Sequence, residues 1–135
     1  YEMAKELGVS LWGVNLQSDP KFYREYSPIS LLAPILGTLS CHVSPKLRYD
    51  EELYLNEDYD FFLKTIRKYR KTIRFNKYYY IADHHKSSGG CGAYRLKDFE
   101  IEQGEVMQKR WGSKVFKFDI NKSTNGAIHV PISGI

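Results

Sequence analysis

The chain has 135 residues, 42% of them hydrophobic and 15% aromatic, and a formal net charge of +4. That composition supports the packed core of one domain and excludes a disordered class. The longest apolar run, 29–39, is broken by Ser30, Pro34, Gly37 and Thr38 and falls short of the roughly 20 residues a membrane helix needs, so no membrane partner is expected.

No signal-peptide pattern is visible, and a start at Tyr1 rather than Met reads as a fragment of a longer protein. Residues 1–10 read as the end of a helix that begins upstream, with Gly8 as the left-handed residue that stops it. Residues 11–16 follow as a strand. Three prolines, Pro20, Pro28 and Pro34, break the next stretch into an excursion with one short helical turn near Leu31. Residues 38–43 alternate as a second strand. The clearest helix spans 57–71: Tyr59, Phe62, Leu63, Ile66 and Tyr69 form one apolar stripe at spacings of three and four. Asn56 is its expected N-cap. Glu57, Asp58 and Asp60 lie at its start and Lys64, Arg67, Lys68, Arg70 and Lys71 later, as the helix dipole prefers. Strands are expected at 73–75 and 78–82 with a bend at Asn76–Lys77, then a glycine-rich loop, a helix over 97–110 weakened by Gly104, and a strand at 115–118. Residues 119–135 read as an irregular tail. Strands and helices alternate, which makes the class α/β.

Three features carry chemistry. Asn56-Glu57-Asp58-Tyr59-Asp60 places three carboxylates in one helical turn; helix capping accounts for one or two of them, and a carboxylate aimed from a helix start suits a general base. Asp83-His84-His85 ends a strand, where successive side chains point to opposite faces, so one histidine at most serves a given site. His42 and His129 take the simpler reading of hydrogen-bonded or surface residues. The loop 87–92 has the glycines to cradle a phosphate with backbone N–H groups but lacks the spacing of the common phosphate-binding motifs. Cys41 and Cys91, the only cysteines, read as reduced thiols of a cytosolic protein.

The succession Arg48-Tyr49-Asp50-Glu51-Glu52-Leu53, Asn56-Glu57-Asp58-Tyr59-Asp60-Phe61, an amphipathic helix, a strand pair and Asp83-His84 resembles the second half of family-two glycosyltransferases with the GT-A fold. Residues 56–62 with Ile73-Arg74-Phe75-Asn76 further resemble the TET-associated glycosyltransferases, phage and related enzymes that attach sugars to hydroxymethylated pyrimidines in DNA. The resemblance implies an α/β fold with a mixed sheet flanked by helices, forming the C-terminal, acceptor-side half of a nucleotide-diphospho-sugar transferase. It implies that Asp58 is the base that deprotonates the acceptor hydroxyl in an inverting transfer, with Glu57 as its partner. His84 would ligate a divalent metal, Mn²⁺ or Mg²⁺. Lys86, Ser88, Gly89, Gly90 and Arg95 would close over the donor diphosphate, and Tyr23, Tyr26 and Asp60 would face the acceptor. Partners would be a nucleotide-sugar donor and DNA as acceptor, in a cytoplasm that is the host's if the gene is a phage's. The Asp-x-Asp metal motif of the family's N-terminal half has no counterpart here, since Asp58-Tyr59-Asp60 stands on the helix start instead. The nucleotide-binding half is therefore expected to lie outside this chain.

Two readings compete with an enzyme. Interleaved basic and aromatic residues suit a nucleic-acid-binding module, although the carboxylates of 57–60 would repel phosphate. A degenerate transferase-like domain serving as an interaction surface is the other; intact Glu57, Asp58 and His84 weigh against it.

Overall fold

The computed structural model describes residues 1–16, 26–37, 39–43, 46–81, 97–119, 121 and 126–130. A short helix, α1 (Glu2–Glu6), ends where Gly8 turns left-handed at φ 61°. The Gly8 N–H then bonds the Lys5 carbonyl and the Val9 N–H the Ala4 carbonyl. Those paired bonds satisfy the last helical carbonyls, and the buried contact of Ala4 with Val9 seals the turn.

The chain then enters β1 (Leu11–Asn15), β2 (Ile29–Ser30) and β3 (Ser40–His42). Helix α2 (Glu57–Tyr69) leads back into β4 (Ile73–Tyr79). The sheet is mixed, in the order β2-β4-β1-β3, with β1 and β4 parallel and the two outer strands antiparallel to their neighbours. Between the parallel strands the chain crosses over through α2, the usual device for returning a parallel strand to its sheet. Phe62, Leu63 and Ile66 of α2 share one buried cluster with Leu11, Ile35, Met107 and Phe116. Met107 belongs to α3 (Lys97–Trp111), and Phe116 to β5 (Phe116–Lys117), which pairs antiparallel with β6 (Ala127–Ile128).

Four details depart from the sequence reading. The helical turn expected near Leu31 is a short strand at Ile29–Ser30 followed by bends. The bend expected at Asn76–Lys77 lies inside one continuous strand, whose pairing with β1 jumps from Val14↔Phe75 to Asn15↔Tyr79. Asn76 is 1% exposed, yet every group is satisfied: its side-chain amide donates to the Ser27 carbonyl and Ser30 Oγ, its Oδ1 accepts from Arg74, and its backbone carbonyl accepts from Asn15. A buried polar residue so bonded holds an irregular strand in place. The tail is not wholly irregular, because Ala127–Ile128 forms β6. Finally, Asn56 precedes α2 with a left-handed φ of 66° and makes no side-chain capping bond.

Gly104, expected to weaken α3, lies buried in an unbroken helix. A β-carbon there would stand 2.7 Å from the Phe118 ring, so the glycine admits an aromatic side chain against the helix backbone.

Candidate functional site

Asp58 takes over the capping that Asn56 does not perform. Its Oδ1 accepts the Tyr59 N–H at 2.8 Å, satisfying one of the open donors of the helix start. Its Oδ2 accepts the Gly37 N–H at 2.7 Å. Gly37 is left-handed at φ 77°, and the site of its missing side chain is filled by Leu16 and by the Tyr80 hydroxyl. Tyr80 in turn donates to the Leu36 carbonyl, and its N–H bonds the Asn15 carbonyl. Asp58 is thereby fixed where β1 and β4 both run out, at the carboxyl ends of the parallel strands. In open α/β sheets that end is where ligands bind. Glu57 stands beside it, and both residues are half-buried. The two backbone amides fix the orientation of the Asp58 carboxylate.

A polar and aromatic group borders this pair. His42 Nε2 lies 3.4 Å from both Ser40 Oγ and the Tyr49 hydroxyl, and its ring meets Phe61 edge-on at 4.8 Å. Tyr49 stacks on Phe61 at 4.5 Å. Burial raises the Tyr49 phenol above its ordinary value, a hydrogen bond with Ser40 partly offsets this, and the negative charges of Asp58 and Glu57 raise it further. Burial lowers His42 below the ordinary histidine value, which keeps the ring neutral at pH 7. The sequence reading left His42 as a bland residue and gave Tyr49 no role beyond its motif. Only the strand β3 and the turn before α2 bring the two together, so no local signal announces them.

Asp60 goes elsewhere. It is 0% exposed; its Oδ1 accepts from Arg110 Nη1 at 3.0 Å and Trp111 Nε1 at 2.9 Å, and its Oδ2 faces Lys64 Nζ at 2.6 Å. Arg110 also pairs with Asp50 at 2.7 Å. The Asp60 carboxylate therefore points into a closed ionic cluster and presents no open side to an acceptor. Tyr26, also expected to face the acceptor, is 96% exposed. Tyr23, His84, Lys86, Ser88, Gly89, Gly90 and Arg95 lie outside the described residues.

Among the described residues no group of three or more His, Cys, Asp or Glu is placed to hold a metal ion, and both oxygens of Asp58 already accept backbone amides. None of the described helices is long and apolar enough to cross a membrane. No family profile, curated protein or solved structure matches the chain.

Proposed function

We propose that the chain is the acceptor-side part of a nucleotide-sugar glycosyltransferase, with Asp58 as the general base. The observation that carries this reading is the placement of Asp58 at the carboxyl ends of β1 and β4, held rigidly by the Gly37 and Tyr59 amides with Glu57 alongside. The Asp-Glu, Glu-Asp and strand-end His order of the sequence supplies the transferase class. In the reaction, the acceptor O–H gives its proton to Asp58 while its oxygen bonds the anomeric carbon of the sugar. The bond from that carbon to the diphosphate breaks with inversion, and the nucleoside diphosphate leaves with the electron pair. Glu57 orients the acceptor. His84 with Mn²⁺ or Mg²⁺, and the donor loop of Lys86, Ser88, Gly89, Gly90 and Arg95, enter through the resemblance alone, and no step above depends on a metal. Hydroxymethylated pyrimidine in DNA is the acceptor class the closer resemblance favours.

A second reading has one specific observation in its favour: Asp58 caps its own helix, a role that needs no catalysis. Incubating the natural full-length protein with labelled nucleotide sugars and with DNA containing hydroxymethylated or plain pyrimidines separates the two. Transfer of label to the hydroxymethylated DNA supports the enzyme. The absence of transfer to either DNA, with no donor hydrolysis, leaves Asp58 as a cap.

A further inference from the structure

Away from Asp58, a groove of about 440 Å³ opens between α2 and the C-terminal turn of α3, lined by Leu47, Lys64, Arg67, Lys68, Arg110 and Trp111. Four of its six lining residues are cationic. Two of these are already engaged, Lys64 by Asp60 and Arg110 by Asp50 and Asp60. The other two are not. Among the described residues Arg67 forms no ion pair, and Lys68 reaches only the Lys46 carbonyl at 3.4 Å and the face of the Tyr69 ring at 5.4 Å. With Asp50 and Asp60 counted against the four cations, the groove keeps a surplus of two positive charges.

Cations late in a helix ordinarily serve the helix dipole and face water. Here they border a concavity instead, with an indole for one wall. Trp111 is half-buried and cannot swing away, because its Nε1 is bonded to Asp60. The Asp60 cluster so far described as structural is therefore also what orients the indole and the Arg110 guanidinium along the groove. The volume falls within the range of small-ligand sites. Uncompensated cations beside a fixed aromatic ring match the chemistry of a nucleotide, whose phosphate the cations neutralise and whose base stacks on the ring.

We propose that this groove binds a nucleotide phosphate between Arg67 and Lys68, with the base against Trp111. A free nucleotide and a single strand of nucleic acid share that chemistry. The site is independent of sugar transfer, because neither Asp58 nor Glu57 lines it.

Binding of fluorescent octathymidylate, with thymidine monophosphate as competitor, tests the proposal on the natural chain without any sugar donor. The double substitution Arg67→Ala with Lys68→Ala alters two exposed side chains and should weaken octathymidylate binding by roughly tenfold or more. It should also flatten the logarithmic salt dependence by about 1.4, two contacts at about 0.7 each for a single strand. Lys5→Ala with Lys117→Ala removes the same charge from exposed positions outside the groove and should leave binding near wild type. Competition by the mononucleotide at a concentration close to the octamer's own dissociation constant assigns the site to a free nucleotide; competition only far above it assigns the site to a strand. The assay contains no sugar donor, so a failed transferase reading leaves this one standing. A wild-type chain that binds neither probe overturns the proposal, as does an equal loss in the Lys5/Lys117 control.

Discussion

At the start of α2 the carboxylate of Asp58 reaches outward to the amides of Gly37 and Tyr59, whereas that of Asp60 turns inward onto Lys64, Arg110 and Trp111. Two residues of α-helix rotate a side chain by about 200°, so one acidic cluster serves two environments. Asp58 is only partly buried and lies at the ends of the parallel strands. Asp60 is sealed, and its charge is balanced by cations from its own helix and from α3. What a carboxylate can do chemically is thus decided by which face of the turn it occupies, not by the acidic motif that contains it.

The contrast can be broken at either end. Asp60→Ala leaves Lys64 and Arg110 facing a vacated, dry position and removes the acceptor of the Trp111 N–H. The cost should be roughly 3 kcal/mol, the low end for a broken buried pair because both cations keep some contact with water. Thermal denaturation should show a fall on the order of 10 °C; an unchanged melting temperature would mean the cluster contributes nothing. Asp58→Asn is milder. Asparagine has one accepting oxygen, so its amide N–H₂ must meet the N–H of Gly37 or of Tyr59, at a cost of about 1–2 kcal/mol in the same measurement.

Two smaller effects are expected at Gly104 and His42. Gly104→Ala forces Phe118 off α3; the overpacking outweighs the better helix propensity by about 1 kcal/mol, read from a urea melt. His42, whose ring meets Phe61 and Tyr49, is lowered by burial from 6.5. Its unfolded form therefore binds a proton first as pH falls, and folded stability declines from about pH 6.5 down through the depressed folded value. Stability is not affected by this group above that window. His42→Gln should make the wild-type decline between pH 7 and 5 shallower, and an identical pH profile in the variant would show that His42 does not cause it.

Helix α2 was legible in the sequence because stripe and charge order agree locally, although it ends at Tyr69 rather than at 71, and the burial of Phe62, Leu63 and Ile66 followed from spacing alone. The candidacy of Asp58 was legible for the same reason. The fate of Asp60 was not, since Arg110 and Trp111 lie 50 and 51 residues further on, and the acidic cluster looks uniform without them. Nor was the continuity of β4, because Asn76 is a turn former by propensity and is retained in the strand by Ser27 and Ser30, 49 and 46 residues earlier. The groove was hidden in the same way: Lys64, Arg67 and Lys68 were visible as a dipole-ordered run on α2, and the Arg110 and Trp111 that complete it come from another helix.

Single-turnover sugar transfer by the natural full-length protein separates the proposed role of Asp58 on a substrate from the role of Asp60 in the fold. Rates would be expressed per folded molecule, at a temperature well below each variant's melting point. Asp58→Asn should lower the rate by roughly 10²–10⁴-fold, the usual contribution of a general base, with donor affinity nearly unchanged and Asp60→Asn close to wild type. Full activity in Asp58→Asn, or equal losses in the two variants, would contradict this division of roles.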